Sequence, residues 1–209
     1  DKFLDYLLEF GFGKKVWMTQ GESKGILFDK SNFKDIDAFV TSFGQGVAVT
    51  PIQLLQAFTV FLNGGKIIKP RILLSEPIKH QQVINQNTAQ KIKEMLIKSV
   101  ESGTGRNAKI PGFHVGGKTG TAQKIDPGKR GYIAGKYFSS FIGFVDFGNH
   151  EILAMFLIDE PSGDKYLGGQ TAAPTFLRFF EKFIAKRLHE KLQIFSNSHA
   201  HANTISKTS

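Results

Sequence analysis

The sequence predicts an α+β domain: helices first, then an antiparallel sheet, then a closing helix. Three observations carry this expectation. Apolar residues recur at helical spacing over 1–10, 51–62 and 88–100. Residues 115–124, 137–146 and 151–159 then switch to strand-like runs. The last two runs are separated only by Phe147-Gly148-Asn149-His150, too short for a crossover, so they pair antiparallel.

In the first helix Phe3, Leu4, Leu7 and Leu8 form the stripe, and Gly11 and Gly13 stop it. Residues 12–49 read as loop, punctuated by Gly21, Gly25, Gly44 and Gly46. The next helix has the clearest start in the chain. Thr50 is the N-cap, Pro51 fits the first helical position, and Gln53 completes a capping box. Its stripe is Leu54, Leu55, Phe58, Phe61 and Leu62, and Asn63-Gly64-Gly65 ends it. Another helix is expected after Asn87, with Gln90 three residues on; Ile92, Met95, Leu96 and Val100 line it, and Gly103 and Gly105 stop it. Residues 172–192 make the final helix, with Phe176, Phe180, Phe183 and Ile184 on one side. Lys186, Arg187, His189 and Lys191 cluster near its C-terminus, where the helix dipole favours cations. The domain is thus expected to occupy residues 1–192, and the polar tail 193–209 to be disordered.

With 209 residues, 41% of them hydrophobic, the chain can bury one core. No stretch reaches the roughly 18 consecutive apolar residues that span a bilayer, and no signal peptide opens the sequence. Asp1-Lys2-Phe3-Leu4 reads as the middle of a helix, so a fragment is expected. The absence of cysteine excludes disulfides, thiolate metal sites and cysteine nucleophiles. A net charge of +9 favours anionic partners, although lysines on solvated faces are its commoner cause. Nucleic-acid binding would need basic residues interleaved with exposed aromatics; most of the 20 phenylalanines fall at core spacing instead.

Two chemistries compete for Gly116-Gly117-Lys118-Thr119-Gly120-Thr121-Ala122-Gln123. Gly112 to Thr119 satisfies the P-loop pattern G-x-x-x-x-G-K-[ST], with Asp159 after an apolar run as the acidic partner of an NTPase. A P-loop must follow a buried strand and open a helix. Here Lys109-Ile110-Pro111 precedes, and a segment with two threonines and a glycine follows, a poor first helical turn. Read instead as a strand, the segment puts Thr119 and Thr121 on one face, able to present two hydroxyls to a carboxylate. Lys118 sets a positive charge beside them. Gly116, Gly117 and Gly120 leave the backbone bare, so that a peptide can lie alongside as an added strand.

Lys118-Thr119-Gly120 matches the lysine-threonine-glycine strand of penicillin-binding proteins and serine β-lactamases. Its surroundings sharpen the match. Ser42-Phe43-Gly44-Gln45-Gly46 and Thr50-Pro51-Ile52-Gln53-Leu54 stand upstream, and Glu101-Ser102-Gly103-Thr104-Gly105 lies just before it. Phe138 to Phe144, Ile158-Asp159-Glu160-Pro161 and Gly168-Gly169-Gln170-Thr171 follow. In this order the set resembles class B penicillin-binding proteins, most closely the division-type peptidoglycan D,D-transpeptidases, over roughly residues 1–185. The resemblance implies an incomplete penicillin-binding, serine β-lactamase-like transpeptidase fold. It places Lys118 in the proton and charge network and gives Thr119, Gly120 and Thr121 the substrate, with the Thr121 N–H as an oxyanion donor. It implies stem peptides, β-lactams and divisome proteins as partners. No nucleic acid, metal or other cofactor is implied. An N-terminal membrane anchor with an extracytoplasmic catalytic domain is also implied.

That family acts through a serine followed three residues later by a lysine at a helix start, with a serine-x-asparagine across the cleft. Both are expected before Asp1. Ser31-Asn32-Phe33-Lys34 lies in a loop-like region, and Ser162-Gly163-Asp164-Lys165 reads as a turn, so neither is taken as the nucleophile. The chain by itself is therefore expected to be unable to acylate. His114 reads as a loop or packing residue, and His199 and His201 as part of the tail. Lys124, Lys129, Arg130 and Lys136 crowd the region after the motif, either as a solvated loop or to steer anionic glycan.

Overall fold

The computed structural model describes residues 2–126, 128 and 131–205, with side chains described through His189. Two helices open the chain: α1, Lys2–Glu9, and α2, Asp35–Ser42. The first is the expected one. The second falls inside the segment read as loop, and at its start the Asp37 carboxylate accepts the Lys34 N–H at 2.9 Å. Helix α3, Pro51–Leu62, begins as its capping box dictates: Thr50 Oγ1 accepts the Gln53 N–H (3.2 Å) and Gln53 Oε1 accepts the Thr50 N–H (2.8 Å).

The buried face of α3 differs from the expected one. Gln53, Ala57 and Val60 are its buried residues, while the leucines and phenylalanines of the expected stripe are half-buried. Gln53 is tolerated there because it is satisfied: its Nε2 donates to the Lys14 and Lys24 carbonyls at 2.7 and 2.9 Å. One glutamine thus caps α3 and pins the loop between α1 and α2.

Next comes a hairpin absent from the expectation: β1, Lys66–Ile68, and β2, His80–Gln82, pair antiparallel. Helix α4, Gln86–Glu101, starts two residues earlier than expected. Asn85, not Asn87, is its N-cap, accepting the Thr88 N–H at 2.8 Å. A single 3₁₀ turn, Arg106–Ala108, leads to the main sheet.

That sheet has three strands in the order β3-β4-β5: Val115–Ile125, Tyr132–Asp146 and Glu151–Asp159. Both pairs are antiparallel, with Thr119 opposite Phe141 and Phe141 opposite Phe156. Side chains alternate between two covered faces. On one, Val115, Phe141 and Val145 pack against α5, Ala172–Ile205, where Phe176 and Phe180 are fully buried. Phe183 also packs against this core, so all three expected phenylalanines of the last helix serve it. On the other face α4 approaches closely: a Cβ on Gly116 would lie 3.2 Å from Ile97 and 2.5 Å from the Phe144 ring. Helix α5 runs on past the expected boundary at residue 192 as far as Ile205, so the expected disordered tail is helical through that point. Among the described residues no helix is long and apolar enough to cross a membrane.

On α4, Met95 is exposed, but α3 is covered by α4 and by β1. The larger exposed apolar side chains lie elsewhere, among them Trp17, Ile26, Phe39 and Leu74.

Candidate active site

The motif segment forms strand β3, not a loop entering a helix, which rules out the P-loop arrangement of Gly112–Thr119. Asp159, its supposed acidic partner, ends an antiparallel strand and is bound by Lys124 at 2.9 Å. Thr119-Gly120-Thr121 do not open a helix because they pair with Phe141, Ser140 and Ser139 of β4.

Among the described residues β3 is an edge strand, paired on one side only. Two features shape it. Gly117 sits where a Cβ would come within 2.5 Å of the Phe141 ring and 2.7 Å of the Ile142 carbonyl, so only glycine lets β4 pack this closely. Alternation then separates the motif side chains. Lys118 shares the α4 side with Gly116 and Gly120, while Thr119 and Thr121 share the other.

Lys118 is exposed, and its Nζ donates to the Thr119 carbonyl at 2.8 Å. Thr119 is half-buried, its hydroxyl 3.0 Å from that of Thr104, in the loop after α4. Thr121 is exposed, and its hydroxyl accepts the Gly168 N–H at 3.0 Å. The turn at Gly168-Gly169 lies directly on the sheet. A Cβ on Gly168 would fall 2.3 Å from the Ser140 carbonyl oxygen and 2.4 Å from that of Gly120. The hydroxyls of both threonines thus have internal partners, from the 102–105 loop and the 166–170 turn.

Ser139, opposite Thr121, is fully buried and donates to the Tyr166 carbonyl. Tyr166 stacks on Tyr137 with ring centroids 4.3 Å apart. These contacts hold the 166–170 turn against the strand ends. Thr104, Ser139 and the 166–170 turn have no predicted task in the sequence, although Gly103-Thr104-Gly105 and Gly168-Gly169 stand out in it. The available signal was the glycine pair just before a helix, which marks a close backbone approach.

Of the basic residues after the motif, Lys124 and Lys136 stand on β3 and β4 rather than in a loop. Lys124 Nζ lies 2.8 Å from Glu160 and 4.8 Å from the centre of the Phe138 ring, and Lys136 also binds Glu160. The two ammonium groups hold the Glu160 carboxyl down at about 2, from an ordinary 4.5. Lys129 and Arg130 lie outside the described residues, as do the side chains of His199 and His201. His114 is exposed, and its carbonyl accepts the Asp146 N–H at 2.9 Å, consistent with a loop position. Ser31 sits in a turn with its hydroxyl on Asp29 (2.8 Å), and Ser162 precedes α5 in irregular backbone; neither opens a helix.

Comparison with known proteins follows the same geography. Residues 1–181 match the family described as the penicillin binding protein transpeptidase domain. Stage V sporulation protein D of Bacillus subtilis is 39% identical over 188 residues, 83% of this chain and 29% of that protein. The peptidoglycan D,D-transpeptidase FtsI of Buchnera aphidicola is 32% identical, over 88% of this chain and 33% of its own length. The chain therefore spans about a third of these curated relatives. Among solved structures, the apo transpeptidase domain of Burkholderia pseudomallei penicillin-binding protein 3 superposes with a TM-score of 0.76 at 29% identity, covering 87% of this chain and 56% of that one. Penicillin-binding protein 3 of Mycobacterium tuberculosis complexed with ampicillin gives 0.73 at 25% identity, over 88% and 45%.

Proposed function

The chain belongs to the penicillin-binding protein transpeptidase domain family, and from that premise we propose that it is part of a division-type peptidoglycan D,D-transpeptidase. The observation that carries the proposal is the placement of Lys118, Thr119 and Thr121 on an edge strand of an antiparallel sheet. An unpaired edge lets a stem peptide add as a further strand.

In this reading a serine in the segment preceding residue 1 attacks the penultimate D-alanine carbonyl of a stem peptide. The acyl group moves to the serine oxygen, and the terminal D-alanine leaves with a proton on its amine. An amine from a neighbouring strand then attacks the ester, forming the cross-link and freeing the serine. Lys118 stabilises the serine alkoxide as it forms and helps pass its proton. The hydroxyls of Thr119 and Thr121 hold the terminal carboxylate of the substrate. The Thr121 N–H is one of two donors to the tetrahedral oxyanion; one such donor typically contributes about 3–4 kcal/mol to the transition state. β-Lactams enter by mimicking the D-alanyl-D-alanine amide and its carboxylate. The whole protein is anchored in the cytoplasmic membrane by an N-terminal segment, acts outside the cytoplasm and works with divisome partners.

The test is release of D-alanine from a pentapeptide stem by a polypeptide carrying these residues with the preceding part of the domain. Release that stops on pre-treatment with a penicillin is expected. A folded polypeptide that releases none contradicts the proposal. Residues 1–209 alone are expected to release none.

A further inference from the structure

Asn107 lies in the 3₁₀ turn Arg106–Ala108, exposed and some distance along the chain from the motif. Its Nδ2 donates to the Gly169 carbonyl at 2.7 Å, across 62 residues of sequence. Gly169 adjoins Gly168, whose N–H is the donor to the Thr121 hydroxyl. Three residues before Asn107, Thr104 reaches the Thr119 hydroxyl. One short segment, 104–107, therefore touches both motif threonines: Thr119 directly, and Thr121 through the Gly168-Gly169 turn.

We infer that Asn107 is a positioning residue for carboxylate recognition: it locks the Gly168-Gly169 turn so that the Thr121 hydroxyl keeps its proton for the substrate. The inference rests on the proposed role of Thr119 and Thr121. A hydroxyl has one proton and two acceptor lone pairs. When the Gly168 N–H occupies a lone pair of Thr121, the hydroxyl cannot use its proton on that same partner, and the O–H is left to point at an anion. Thr104 does the same for Thr119 when it is the donor of their shared bond. A Cβ on Gly169 would lie 2.5 Å from the Thr104 carbonyl oxygen, so the turn is pressed flat against the 104–107 segment. What remains is for it to slide along the strand, and the Asn107 bond prevents that.

Asn107 is exposed, so its substitution leaves the core untouched. Asn107→Ala removes the donor. Asn107→Asp keeps the size but sets a carboxylate against the Gly169 carbonyl. Both variants are made in the polypeptide carrying the preceding part of the domain. Acylation is followed with a penicillin and with the same penicillin bearing a neutral carboxamide in place of its carboxylate. For the carboxylate ligand, the concentration giving half-maximal acylation rate should rise about fivefold in both variants, the effect of losing one hydrogen bond, while the limiting rate changes less. For the carboxamide no variant should differ from wild type. Equal losses on both ligands would mean that Asn107 merely holds the fold and would overturn the inference, as would unchanged acylation by the carboxylate ligand. A wild type that neither ligand acylates overturns the proposed function instead, and this inference with it.

Discussion

In the proposed mechanism, Lys118 is the residue whose removal should separate chemistry from architecture. Its side chain is exposed, and among the described residues its hydrogen bond is to the neighbouring Thr119 carbonyl, so the described core does not depend on it. Lys118→Ala should therefore leave the melting temperature within a degree or two of wild type. It should slow penicillin acylation by about 100-fold or more, the usual range for a lost proton-transfer partner. A folded variant acylating at the wild-type rate would take Lys118 out of the mechanism. Glu160 makes a different demand. Its depressed pKa means that the Lys124 and Lys136 contacts contribute fully above its ordinary 4.5 and are lost as pH falls toward about 2. Side-chain NMR should give Glu160 a midpoint near 2 in the folded protein. A midpoint near the ordinary 4.5 would show that the two lysines do not hold it.

At the scale of elements, the start of α3 is where local chemistry decides most. Thr50→Ala removes the acceptor for the Gln53 N–H and should cost about 1 kcal/mol, read as a lower denaturant midpoint with an unchanged slope. Gln53→Leu should cost more, because the Thr50 N–H and the carbonyls of Lys14 and Lys24 all lose a partner; equal effects would refute the double role given to Gln53. The same contrast shows what was legible in advance. Thr50, Pro51 and Gln53 announce α3 locally, and the four-residue link 147–150 forces β4 and β5 to pair. Which face of α3 is buried was not legible, because the burial of Gln53 depends on carbonyls about 30 and 40 residues away. Helix α2 is only eight residues long and exposes Ile36 and Phe39, so its periodicity marks no core. Strands β1 and β2 are three residues each, and His80-Gln81-Gln82 carries no apolar alternation.

For the molecule as a whole, the sheet binds the site together from segments far apart in sequence. The motif strand was legible because lysine, threonines and glycines sit side by side. Thr104, Asn107 and Gly168 were not, since they reach the strand only through the fold. The whole fold also excludes the nucleotide-binding alternative: with β3 in place of a phosphate-wrapping loop, calorimetry should detect no Mg-ATP binding at millimolar nucleotide. Saturable binding abolished by Lys118→Ala would refute that exclusion. The most direct test of the account is to find where a fluorescent penicillin attaches, using the polypeptide that carries residues 1–209 with the preceding part of the domain, digested and mapped by mass spectrometry. One covalent label is expected, on a serine preceding residue 1, formed far more slowly in Lys118→Ala and absent when residues 1–209 are used alone. A label on Ser31 or Ser162, or an upstream label indifferent to Lys118, would contradict it.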